Sequence, residues 1–120
     1  MSKKLMKIQN DEETTIASLK NAVKEFVKER EWEKFHTPQN LALSISIEAA
    51  ELLQIFQWKL DKNYYTEKEL DSMQMEVADI LIYLLIFFNS MNWDVTQIFW
   101  KKMKLNKEKY PCGLLKEKLK

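Results

Sequence analysis

The run 37–59 reads TPQNLALSISIEAAELLQIFQWK, and its spacing decides the fold. Thr37 followed by Pro38 marks a helix start, a capping hydroxyl and then proline at the first helical position, where its missing N–H leaves nothing unsatisfied. Leu41, Ile45, Leu52 and Ile55 then recur on one helical stripe, which predicts a helix running to about Leu60. The position that completes the stripe between Ile45 and Leu52 is Glu48, so an acid stands where a core residue belongs. Glu51 lies beside it, because residues three apart are neighbours on a helix surface.

Outward from this run the same grammar continues. Glycine occurs once, at Gly113, and proline only at Pro38 and Pro111, too little punctuation for hairpins and sheet turns. The chain therefore reads as all-α. A first helix is expected after Asn10, with Glu13 as its capping partner, a stripe of Ile16, Leu19, Val23 and Phe26, and an end near Trp32. Thr66 and Glu69 form a capping box between the staple residues Tyr65 and Leu70, opening a third helix through Met73, Glu76, Ile80, Tyr83 and Phe87. It breaks within 89–93. Asp94 and Gln97, flanked by Trp93 and Ile98, start a fourth helix that Pro111 and Gly113 stop beyond Tyr110. The expectation is a single all-α, four-helix, bundle-like domain over 1–120, with 1–10 and 112–120 as flexible ends.

Length and composition fit one globular domain: 120 residues, 46% hydrophobic and 31% charged. A single cysteine, Cys112, makes neither an internal disulfide nor a Cys/His zinc cluster, and the first ten residues hold no apolar leader segment, so a cytoplasmic location is expected. The net charge of +1 argues against a protein that coats a nucleic-acid polymer or an anionic membrane. The most apolar run, 80–88, is far short of the roughly 20 residues that span a bilayer. It is apolar around nearly the whole helix, which implies cover on all sides, and four helices of one chain do not supply that. A homo-oligomer, dimer or tetramer, is the expected solution.

The third helix repeats the anomaly of the second. Glu76 sits in the stripe of Met73, Ile80, Tyr83 and Phe87, with Asp79 one turn on. Helical glutamates are ordinarily salt-bridge partners, but no lysine or arginine lies between Phe35 and Trp58 or between Glu69 and Trp100. Unpaired buried carboxylates at close range repel one another and raise each other's pKa. A divalent cation resolves this, and an all-carboxylate set suits Mg²⁺ or Mn²⁺ rather than zinc, with phosphate oxygens and water filling the remaining positions. The natural client of such a site is a phosphate ester.

Four segments carry a family resemblance: EWEKFHTPQNL at 31–41, SIEAAELLQIFQWK at 46–59, EVADILIYLL at 76–85, and K-x-x-x-N-x-x-K-Y-P at 102–111. In this order the chain resembles the MazG-like, all-α nucleoside triphosphate pyrophosphohydrolases, especially their short dCTPase-like branch. The resemblance implies that Glu48, Glu51, Glu76 and Asp79 bind Mg²⁺ and serve catalysis. It further implies hydrolysis of a (d)NTP between the α and β phosphates, giving (d)NMP and pyrophosphate without a covalent intermediate. Trp32, Trp58 and Tyr83 would surround the base, and Lys102, Asn106, Lys109 and Tyr110 would hold the polyphosphate. A pyrimidine dNTP such as dCTP is the implied substrate. Two positions depart from the family pattern: Ala49-Ala50 where a glycine is common, and Met75 where relatives often carry another glutamate.

Each of these residues also has a plainer reading. His36, the only histidine, sits beside a helix cap, where a structural hydrogen bond or a pocket-lining place is the ordinary role. Glu33-x-x-His36 is half of a di-iron bundle signature, whose second copy is absent. Tryptophans such as Trp32 and Trp58 are by default core or interface residues. The lysines from Lys101 to Lys109 suit a solvated helix end, where positive charge offsets the dipole. The competing functional reading is a non-catalytic all-α interaction protein that retains the acids.

Overall fold

The computed structural model describes residues 9–61 and 63–113. Four α-helices follow one another, α1 (Ile16–Glu29), α2 (Pro38–Phe56), α3 (Glu67–Ser90) and α4 (Val95–Lys109), with one 3₁₀ turn over Glu33–Phe35 and no strand among the described residues. The all-α expectation holds. The two ends expected to be flexible fall largely outside the described residues.

Each helix starts on a side-chain cap. The Thr37 hydroxyl accepts from Asn40 N at 3.2 Å with Pro38 next in line, as the sequence implies. The Thr66/Glu69 box closes in both directions, Glu69 N donating to Thr66 Oγ1 at 3.1 Å and Thr66 N donating to Glu69 Oε1 at 2.9 Å. At α4, Asp94 accepts from Gln97 N at 2.9 Å. The first helix begins later than expected. Asn10 does accept from Glu12 N and Glu13 N, but it closes a tight turn, and the helix starts at Ile16 under a Thr15 cap. Asn and Asp side chains offer this local alternative to a helix start, so one capping signal served a turn instead. The second helix also stops short of Leu60, because Gln57 leaves the helical backbone at ψ of 133° and Trp58 follows in a left-handed conformation with φ of 64°.

The packing is a hairpin with an outrigger. Helix α2 lies along α3, α1 packs on α3, and α4 packs closely on neither α2 nor α3. The core is small: Val27 of α1, Leu41 of α2 and Ile86 of α3, with Val23, Tyr83 and Phe87 against it. Leu41 is wholly buried, while Ile16, Leu19 and Phe26 of the expected α1 stripe are exposed, so Val27 is the residue that anchors the helix. Of the apolar run 80–88, Leu85 and Ile86 are buried, whereas Leu81, Ile82 and Leu84 face solvent. The chain alone does not cover α3.

Candidate metal centre

Helices α2 and α3 carry the acids to one place. Glu48, near the middle of α2, meets Glu76 and Asp79, in the third and fourth turns of α3, and one carboxylate oxygen from each falls within 4.8 Å of the others. Glu48 and Glu76 are half-buried and Asp79 is exposed, so the cluster opens to solvent on one side. Pairing α2 against α3 produces this, since both helices turn their apolar stripes inward and the acids occupy stripe positions.

The electrostatics are those of a site without its counter-charge. Glu48 Oε2 and Glu76 Oε2 are buried and have no hydrogen-bond donor. The ion pairs among the described residues, Arg30–Glu29 and Lys59–Glu69, do not involve these acids. Burial, then contact with Glu76, then the charges of Glu51 and Asp79 push the Glu48 carboxyl up to about 7. Two facing carboxyl groups without a donor between them either share a proton or bind a cation. Buried donorless oxygens from hard-oxygen ligands fit a divalent ion, because each then gains the partner that the protein withholds.

Glu51 lies beside Glu48 at the edge of the converging three. It is exposed, in side-chain contact and charge interaction with Glu48, and not one of the three whose oxygens all meet. The other sequence candidates lie on several elements of the fold. Trp32 meets Phe26 edge-on at 5.6 Å between ring centroids and stays partly exposed. Tyr83 packs against the Val27–Leu41–Ile86 core, and Trp58 is 86% exposed. Lys102, Asn106 and Lys109 lie on α4 and Tyr110 at its end, on the helix that packs least closely on the others.

His36 does line a pocket, though a different one. A cleft of about 320 Å³ lies between α1, the 3₁₀ turn and α3, bordered by Lys24, Lys28, Glu33, His36, Asn89 and Ser90 and floored by Val27 and Ile86. His36 Nδ1 is buried there without a partner, and burial, opposed by the nearby Glu33 charge, lowers the imidazole pKa. Sequence reasoning also passed over the Lys59–Glu69 ion pair at the α2–α3 junction, 2.9 Å long. The signal was a lone lysine just past a helix end, facing a cap glutamate ten residues on.

Comparison with known proteins matches residues 43–118 to the MazG-like family, a span that takes in all four acids. The chain belongs to the MazG-like family. Among MazG-like relatives, dCTP pyrophosphatase 1 of Mus musculus is 37% identical over 106 residues, 85% of this chain and 62% of that protein. The Homo sapiens protein of the same name is 35% identical over the same length. A solved pyrophosphatase from Archaeoglobus fulgidus aligns with a TM-score of 0.70 at 38% identity, covering 88% of this chain and 99% of that one. The chain thus spans less than two thirds of the mammalian relatives and nearly all of the archaeal one. The MazG-like match begins after Trp32 and His36, which lie upstream of it.

Proposed function

We propose that the chain is a divalent-metal-dependent nucleoside triphosphate pyrophosphohydrolase, converting a (d)NTP and water to (d)NMP and pyrophosphate, with Mg²⁺ as the working ion and Mn²⁺ able to replace it. The observation that carries this reading is the meeting of Glu48, Glu76 and Asp79 with two buried oxygens lacking donors. The names of the mammalian and archaeal relatives support the reaction class, and those of the mammalian ones favour dCTP, a pyrimidine dNTP, as substrate.

Glu48, Glu76 and Asp79 would hold the ion, which when bound neutralises phosphate charge and makes water a stronger nucleophile. Glu51 completes the acid set from the exposed rim of α2, where its carboxylate orients water and accepts its proton. Cleavage falls between the α and β phosphates, the bridging oxygen leaving with pyrophosphate. Trp32, Trp58 and Tyr83 are assigned to the base, His36 to the substrate pocket, and Lys102, Asn106, Lys109 and Tyr110 to the polyphosphate. The chain works as a homo-oligomer, which covers the exposed Leu43, Ile47 and Leu53 of α2 and Leu81 and Leu84 of α3. Work on the free nucleotide pool in the cytoplasm fits this activity. The chain needs no membrane, and among the described residues no helix is long and apolar enough to cross one.

Chromatographic product analysis with Mg²⁺ against the standard NTPs and dNTPs tests the proposal. Monophosphate and pyrophosphate, with dCTP among the best substrates, are expected. Diphosphate and phosphate, or no turnover of any nucleotide by folded, Mg²⁺-binding protein, would contradict it.

A further inference from the structure

Trp58 combines two features that the packing of its own chain does not reward. Its backbone is left-handed, a conformation that bulky residues avoid. Its indole is 86% exposed, although tryptophan gains more than most residues from burial. Left-handed non-glycine residues persist where their surroundings over-determine them, and they gather at functional sites.

The surroundings here are specific. On one side of Trp58, Phe56 meets the Tyr65 ring edge-on at 5.8 Å between centroids. On the other side, Lys59 Nζ donates to both oxygens of Glu69, at 2.9 and 3.0 Å, and lies 5.2 Å from the centre of the Tyr65 ring. The pair is shielded, the two side chains being 15% and 26% exposed, whereas the Arg30–Glu29 pair joins sequence neighbours at 3.6 Å on the open surface. Glu69 is itself fixed, since the capping box of α3 holds it to Thr66 in both directions. Lys59 therefore docks on an acceptor that α3 has already oriented. With Phe56 and Lys59 fastened near the start of α3, the short stretch between them projects, and Trp58 is its aromatic residue.

We propose that the Lys59–Glu69 ion pair is a positioning device that holds the Trp58 indole outward, an inference that rests on the nucleotide reading above, in which this indole meets the base of the substrate. Trp58 lies two residues beyond the helix that carries Glu48 and Glu51. Glu51 is five residues from the end of that helix, about 7.5 Å along its axis. A nucleotide with its phosphates at the acids spans such a distance with its base, and aromatic stacking tolerates any base because every base has a π-face.

The test separates the pair from the cap it shares. Glu69→Gln keeps an acceptor for Thr66 N, glutamine being a normal capping-box residue, but removes the charge that holds Lys59. Lys59→Met removes the pair from the other side, and Lys59→Arg restores it. Each variant is labelled with 5-fluorotryptophan, and the Trp58 ¹⁹F resonance is assigned from its loss in Trp58→Phe. In the unaltered protein this resonance should be a single line that shifts on adding dCTP with Mg²⁺. In Lys59→Met and Glu69→Gln it should broaden or move, and KM should rise by at least about fivefold, the lower end of one base–aromatic stack, with kcat within about twofold. Lys59→Arg should restore both. An unchanged Trp58 resonance and unchanged KM in both charge-removing variants would overturn the positioning role. A resonance that changes in the variants yet does not respond to any nucleotide would leave the pair holding the indole but overturn the stacking role, and with no turnover it would overturn the nucleotide reading itself.

Discussion

Glu48 is the residue on which the acidic site turns. In the fold its carboxyl keeps a proton up to about pH 7 against an ordinary value of 4.5, so between these limits the folded chain binds more protons than the unfolded one. Stability from this group is therefore greatest below about pH 4.5, falls as pH rises to about 7, and is level beyond. Melting curves of metal-free protein and of Glu48→Gln should diverge over this window, the variant losing the decline. His36 contributes the opposite slope, because burial disfavours its charged form, and it does so in both proteins. Mg²⁺ competes with the Glu48 proton, so the rise in Tm that it produces should grow as pH passes through 7 and be lost in Glu48→Gln. Removing this ligand should also reduce kcat/KM by more than the roughly 10–100-fold typical of an outer partner of a metal site.

At the scale of elements, caps and turns do the deciding. Thr66→Ala breaks both halves of the α3 box and should destabilise the protein by about 1 kcal/mol, visible as a Tm lower by a few degrees. Trp58→Gly should behave differently. A left-handed non-glycine residue costs roughly 1–2 kcal/mol, while glycine adds roughly 0.5–1 kcal/mol of unfolded-state entropy. With an indole that is almost fully exposed, the variant should melt no lower than the unaltered chain, even as substrate affinity falls. Three of the four helix starts were legible because threonine, proline and aspartate caps satisfy the first N–H groups from within a few residues of sequence. Asn10 was misread because an asparagine that caps a turn and one that caps a helix look alike until the following backbone is known. The end of α2 was misread for a related reason, since nothing in Gln57-Trp58 announces a left-handed residue.

At the scale of the molecule, the meeting of Glu48 with Glu76 and Asp79 was legible from two facts, acids in apolar stripes and the absence of nearby cations. The place of Glu51 beside Glu48 was legible from the same three-residue spacing, whereas its position at the exposed rim, outside the group of three, was not. Nor was the looseness of α4, whose side chains read as an ordinary fourth helix although none of its described residues is buried. The proposed homo-oligomer would cover the exposed apolar residues along α2, α3 and α4. Sedimentation equilibrium should therefore give a mass at least twice the 14.4 kDa of one chain. Leu81→Arg, which places charge on an exposed position of α3, should return the protein to a monomer, whereas a chain that sediments as a monomer from the start would remove the oligomer from the account.

The central claim is that Glu48, Glu76 and Asp79 together hold a divalent cation, and titrating Mn²⁺ into metal-free protein at pH 7.5 while following free Mn²⁺ by electron paramagnetic resonance tests it most directly. Saturable binding that Glu76→Gln abolishes, with the variant retaining its helical circular dichroism, is the predicted result. Failure of the protein to bind Mn²⁺, or equal binding by the folded variant, would contradict it.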